Sequence, residues 1–279
     1  MREVLMSAPD IQPEDIERVV EVLNSRSLSL GPFLDRFERS FADYLGVKHA
    51  VAVSSGTAGL HLCICAAGIG PVQEVITSPF SFVASANCIL YERATPVFVD
   101  IDEDSMNIDP DLVGAAVTGR TRAVLPVHVF GQACAINEID ALCHKHDLTM
   151  IEDACEALGT EYCGRKVGSF GRAAVFAFYA NKQITAGEGG IIATNDADWA
   201  KKFQSLRNQG RSEMGAWLMH EQLGFNYRLD EMSAALAFSQ LARIETLIER
   251  RRKAAEIYRE LLRDVSITSS ALPIAKPSG

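Results

Sequence analysis

Three short stretches of this chain carry residues able to do chemistry. Ser54-Ser55-Gly56-Thr57 lies between two apolar runs. Backbone N–H groups that open a helix lack intrahelical acceptors and carry partial positive charge, so such a turn suits a phosphate, and Gly56 lets a ligand approach closely. Ser and Thr also cap helices without binding anything. Ile151-Glu152-Asp153 closes an apolar run on two carboxylates. An aspartate there can hold a metal, a ribose hydroxyl or a protonated ring nitrogen, or simply cap the next segment, and its position does not choose among these. Lys182 sits between apolar runs, with aromatic residues before it and Gly187, Gly189 and Gly190 after it. Most lysines are solvated surface charges. Partial desolvation of this one would lower its pKa and free the nucleophilic amine.

Each signal alone is weak, but their order along the chain is specific. A phosphate-binding helix start, an aspartate at a strand end and a lysine after the following strands are the set that pyridoxal 5'-phosphate needs. That cofactor takes a lysine for its Schiff base and an anionic partner that keeps the pyridine nitrogen protonated.

The elements that would position these groups follow from periodicity. Phe33, Phe37, Phe41 and Leu45 recur every four residues between Gly31-Pro32 and Gly46, which predicts an amphipathic helix punctuated at both ends. Short apolar strands are expected at 50–53, 74–77, 95–100, 122–129, 149–153, 173–178 and 190–194, with helices at 58–67, 83–91 and 136–146. This alternation indicates an α/β fold whose mostly parallel sheet carries helices on both faces. Ligands in such sheets gather at the carboxyl ends of strands, where Ser54, Asp153 and the segment after Phe178 fall. From Asp230 the pattern is helical, with Ile244, Leu247, Ile248, Ala254 and Tyr258 tracing one face of a long helix. The residues 271–279, ALPIAKPSG, are turn-rich.

Composition narrows the partners. The chain has 279 residues, 48% of them hydrophobic, enough for a large core, and a formal charge of -9. That charge argues against nucleic acid or an anionic membrane as the main partner, and the basic stretch IERRRK reads as a solvated helix face. The start shows no secretory signal and no apolar run reaches the length of a membrane span, so a cytoplasmic location is expected. Seven cysteines, Cys63, Cys65, Cys88, Cys134, Cys143, Cys155 and Cys163, are scattered without a paired zinc spacing and read as small core residues in a reducing compartment.

With those residues in hand, the chain resembles the DegT/StrS family of nucleotide-sugar aminotransferases from about Gly31 to Leu262. The carriers are SGTAGLHL at 55–62, SPFSFVASANCI at 78–89, PVFVDID at 96–102, IEDACEALG at 151–159, FAFYANKQITAGEGG at 176–190 and LGFNYRLDEMSAAL at 223–236. The resemblance implies an aspartate aminotransferase-like fold, the type I fold of pyridoxal phosphate enzymes, with a large cofactor-binding domain over residues 1–235. Residues 236–279 would be a long helix and the start of a small C-terminal domain that is largely absent. It further implies that Lys182 carries the cofactor, that Asp153 pairs with the pyridine nitrogen, that Gly56, Thr57 and Ala58 hold the phosphate, and that Phe82 stacks on the ring. Asn226 would reach the phosphate in a neighbouring subunit, which implies a homodimer with shared active sites.

Two positions depart from the family pattern. Ala177 stands where relatives often have a serine that binds phosphate, and a hydrogen bond to a charged group is worth roughly 1.5–3 kcal/mol. Glu156 stands where Gln or His is common, near the ring oxygen. The expected activity is transfer of an amino group, with glutamate as donor, to a 4-keto-6-deoxy sugar nucleotide. Rival readings are a cofactor-binding protein without turnover, regulatory or truncated, and a sugar dehydratase, whose usual mark is a histidine in place of the lysine. A nicotinamide enzyme has little support because no GxGxxG follows the early strands.

Overall fold

In the computed structural model, residues 7–211 and 219–265 are described. The tail at 271–279 therefore lies outside the described residues. The chain opens with α1 (Pro13–Ser25) and α2 (Pro32–Leu45). Helix α2 is the one its spacing predicts. Pro32 occupies its first turn, and Gly46 ends it in the left-handed region (φ 76°), where its N–H reaches the Ala42 carbonyl.

Then come β1 (His49–Val53), α3 (Gly56–Ala66), β2 (Glu74–Thr77), α4 (Ala84–Tyr91), β3 (Thr95–Phe98), α5 (Pro110–Ala116), β4 (Thr121–Val124), α6 (Ile136–His146) and β5 (Thr149–Asp153). A small hairpin, β6 (Glu161–Tyr162) and β7 (Arg165–Lys166), precedes β8 (Ala173–Ala177), β9 (Gly190–Thr194) and α7 (Ala197–Arg207). Helices α8 (Glu231–Leu241) and α9 (Ile244–Leu261) follow. The division expected between residues 235 and 236 falls inside α8.

Seven strands form one sheet in the order β1-β9-β8-β5-β4-β2-β3. β9 runs antiparallel to both of its neighbours, and every other pairing is parallel. It follows that β1, β8 and β5 all point the same way, so their carboxyl ends share one edge of the sheet. Two apolar clusters cover the two faces. One contains Phe37, Phe41, Phe176, Phe178, Ile248 and the inner residues of α8; the other contains Leu60, Leu62, Val175, Trp199 and Phe203. The family of rings on α2 locks onto β8, with Phe41 5.1 Å from Phe176 and Phe37 5.3 Å from Phe178, both edge to face.

The strand expected over 122–129 stops at Val124. Pro126 cannot donate to the ladder, and the chain continues by single contacts, Leu125 N–H to Ile76 and His128 N–H to Asp153, before a 3₁₀ turn at Val129–Gly131. α1, α7 and the β6–β7 hairpin were not among the elements expected above. Among the described residues no helix is long and apolar enough to cross a membrane.

Candidate active site

The shared strand edge opens into a cleft of about 690 Å³, lined by Gly56, Thr57, Phe82, Asp153, Glu156, Ala177, Tyr179 and Lys182 among others. Its first wall is the start of α3. Ser55 is extended and its Oγ accepts the Ala58 N–H at 3.1 Å, a side-chain cap that leaves the Gly56 and Thr57 end of the helix facing the cleft. Ala58 is buried and already committed to Ser55, so of the three residues expected at a phosphate it contributes least.

Glycine is required at this corner. A Cβ at Gly56 would lie 2.8 Å from the Ala177 methyl, and one at Gly190 would lie 2.6 Å from the Ser55 backbone. The start of β9 thus presses the turn between β1 and α3 into place.

Asp153 is 5% exposed at the end of β5. Its Oδ2 accepts the Ser85 hydroxyl at 2.8 Å, and its Oδ1 accepts the Cys155 N–H at 3.2 Å. Ser81 and Ser85 are themselves linked at 2.6 Å, which ties the aspartate to the start of α4. Phe82 projects from the same segment, 77% exposed on the cleft wall. Cys155 also lines the cleft, but burial first and the Asp153 charge second raise its pKa well above the ordinary thiol value, so it stays protonated.

Strand alternation sets the third wall. Phe176 and Phe178 point into the α2 cluster, which turns Ala177 toward the cleft and its bare methyl toward Gly56. After Phe178 the chain makes a loop, pinned by Ala186 N–H to Phe178 and Phe178 N–H to Gly189, both at 2.9 Å. Gly187 (φ 82°) turns it back. Lys182 projects from this loop with its side chain 18% exposed, and its Nζ meets Glu156 Oε1 at 3.2 Å. Glu156 Oε2 accepts the Phe130 N–H at 3.1 Å, and the Gln183 amide donates to the Glu156 carbonyl.

Two neighbours carried no sequence signal. Ser85 is one serine among several in its segment. Arg251, on α9, donates to the carbonyls of Lys182 at 2.6 Å and Asn181 at 3.2 Å, a contact across 69 positions of sequence that no local pattern announces. Asn226 stands apart. It is exposed, bridges Asn208 and does not line the cleft of its own chain.

The residues present suit pyridoxal phosphate. Free helix N–H groups face one end of the cleft, a buried carboxylate with an oriented hydroxyl stands at its floor, and an amine enters from the opposite wall.

Comparison with known proteins places the chain among sugar aminotransferases. A model of the DegT/DnrJ/EryC1/StrS aminotransferase family matches residues 9–277. GDP-perosamine synthase of Caulobacter vibrioides is 42% identical over 260 residues, covering 93% of this chain and 70% of that protein. Spore coat polysaccharide biosynthesis protein SpsC of Bacillus subtilis is 43% identical over 268 residues, covering 93% and 69% respectively. Among solved structures, Helicobacter pylori PseC, an aminotransferase involved in the biosynthesis of pseudoaminic acid, superposes with a TM-score of 0.90 at 36% identity, covering 94% of this chain and 71% of that one.

Proposed function

The chain belongs to the DegT/DnrJ/EryC1/StrS aminotransferase family, with the aspartate aminotransferase-like α/β fold, and from that premise we propose that it binds pyridoxal 5'-phosphate at Lys182. The proposed reaction transfers an amino group from glutamate to a keto sugar nucleotide of the 4-keto-6-deoxy hexose class, in the cytoplasm. The observation that carries this reading is the convergence of Lys182, Asp153 and the Gly56-Thr57 helix start on one cleft.

When bound, the cofactor supplies an electron sink through which an amino group can leave one carbon and be installed on another. The residues of the chain do the rest. The N–H groups of Gly56 and Thr57 bind the phosphate. Asp153, oriented by Ser85, holds a proton on the pyridine nitrogen through Oδ2 or Oδ1. The Phe82 ring covers one face and excludes water from it.

Lys182 has two tasks. It anchors the cofactor, and once released its Nζ moves the proton that leaves the donor's α-carbon. Glu156 Oε1, 3.2 Å from Nζ, holds the amine in place within the cleft. Arg251 fixes the loop from behind through the carbonyls of Asn181 and Lys182. Asn226, exposed and outside the lining of its own cleft, fits a role in a second subunit's site, so the active form is proposed to be a homodimer.

The names of the matched relatives, a perosamine synthase and proteins of spore coat and pseudoaminic acid synthesis, support a sugar-nucleotide acceptor. The test is spectroscopic. Purified protein with pyridoxal phosphate should show the visible band of lysine-linked cofactor, glutamate should convert it to the amine form, and Lys182→Ala should abolish the band. A normal band in Lys182→Ala would overturn the assignment of Lys182. A normal wild-type band that glutamate never changes would favour cofactor binding without turnover.

A further inference from the structure

A group of potential metal ligands lies outside the cleft, on the side of α3 and α4 facing residues 225–227. His61 and Cys65 are four residues apart on α3, one turn above the other, and Glu92 caps the end of α4. One ligand atom from each, an imidazole nitrogen, the Cys65 Sγ and a Glu92 carboxylate oxygen, lies within 4.8 Å of the others. Nε2 is 2.8 Å from Glu92 Oε1, and the Cys65 thiol donates to the same oxygen at 3.4 Å. None of the three lines the cleft described above.

The surroundings hold the imidazole in one orientation. His61 is 4% exposed, and its ring is packed by Tyr91, Phe225 and Tyr227. Its other nitrogen, Nδ1, meets the Tyr227 hydroxyl at 3.2 Å. A partner on the far nitrogen is the device that orients a metal-bound histidine and sets its tautomer. Glu92 is partly open to solvent, with its side chain 31% exposed, which gives an ion a way in.

We propose that His61, Cys65 and Glu92 form a binding site for a divalent transition metal of the zinc class. A tetrahedral zinc ion sits about 2.0–2.3 Å from nitrogen, sulfur and carboxylate ligands, so its ligand atoms stand roughly 3.3–3.8 Å apart. The Sγ to Oε1 spacing meets that already, and a small rotation of the Glu92 carboxylate away from Nε2 widens that second pair toward the same range. One imidazole and one thiolate select zinc or cobalt over magnesium or calcium. The proton balance closes. The imidazole proton moves from Nε2 to Nδ1, where the Tyr227 oxygen accepts it, and the thiol proton leaves to solvent. One thiolate and one carboxylate then neutralise the two charges of the ion, and water takes the fourth position. Such an ion would tie α3 to α4, the two helices whose starts line the cleft, and would steady Tyr227 beside Asn226.

Cobalt titration of chelator-treated protein, read as difference spectra with any cofactor left in place, tests this. One equivalent should bind with a thiolate-to-metal charge-transfer band and the visible bands of a tetrahedral ion, and zinc should displace it. Cys65→Ser should lose the charge-transfer band while its far-ultraviolet circular dichroism stays as in wild type. Tyr227→Phe should keep the band but weaken binding about tenfold. Zinc should raise the Tm of wild type and not that of Cys65→Ser. If wild type binds no stoichiometric cobalt, or if Cys65→Ser shows the same band, the proposal fails and the group is a hydrogen-bonded His61–Glu92 pair beside a plain thiol.

Discussion

Glu152 and Asp153 are neighbours on one strand, yet the two faces of the sheet give them opposite lives. Glu152 is fully buried on the α2 and α6 side and accepts four hydrogen bonds: Oε2 from His128 Nε2 (3.1 Å) and Gly168 N–H (2.8 Å), and Oε1 from Phe170 (2.9 Å) and Gly171 (2.6 Å) N–H. His128 also stands 3.2 Å from the Cys134 N–H through its Nδ1, so the ring is held between that backbone group and Glu152. Burial alone would push the Glu152 carboxyl up, but these donors outweigh it and hold the group below the ordinary value of 4.5. Asp153 faces the α3 and α4 side with two donors and an open flank toward the cleft. A saturated carboxylate organises backbone; one left partly unsaturated at a cleft is available to a ligand.

The comparison breaks if the two positions respond alike. Asp153→Asn should lose turnover by roughly 10²- to 10⁴-fold, the range for a positioned acid or base, with little change in Tm; a drop in Tm without loss of turnover would reverse the roles. Glu152→Gln should instead destabilise by roughly 3 kcal/mol or more, because two of four donors lose an acceptor in bonds worth about 1.5–3 kcal/mol each, read by urea unfolding.

The same substitution has a pH signature. Because the folded carboxyl lies below 4.5, the stability that Glu152 contributes is complete above that value and is lost as pH falls through the folded pKa. The Glu152→Gln protein should therefore lose less stability between neutral pH and acid than wild type does.

Smaller effects sharpen the picture on the cleft side. Arg251→Ala should lower kcat about ten- to a hundredfold with KM nearly unchanged, since a loop displaced by about 1 Å misplaces the amine, and Arg251→Lys should restore part of it. Ala177→Ser should tighten cofactor binding about tenfold, as one added hydrogen bond to a charged group of about 1.5 kcal/mol implies; equilibrium dialysis of the two proteins compares them directly.

The sheet was readable in advance because its strands are apolar runs bounded by turns, and 74–77, 149–153 and 190–194 fall where β2, β5 and β9 lie. The direction of β9 was not readable: hydrophobicity carries no sign, and only the pinned loop around Lys182 reveals the reversal. α1 carries the same kind of signal, Ile16, Val19, Val20 and Leu23 at helical spacing, yet Ile16, Val20 and Leu23 are exposed in the structure. Lys182, Asp153 and Gly56, singled out by type and order, all line the one cleft. The two faces of Glu152-Asp153 follow from alternation, but the donors to Glu152 come from two separate segments, three from 168–171 and one from His128, and could only be seen folded. Arg251 depends on how α9 crosses the sheet edge, a matter of packing and not of spacing.

The loop that carries Lys182 leaves β8 and returns to β9, so both of its ends are held by adjacent strands of one sheet. In kinetic terms this is a tether. The amine is confined to the cleft that Asp153 also lines, whereas an untethered amine would need a concentration of roughly 10⁵ M or more to match a well-oriented intramolecular one. Under the proposed function, the reversed strand would make release of the lysine a reversible local motion and keep the same group at hand for every later step.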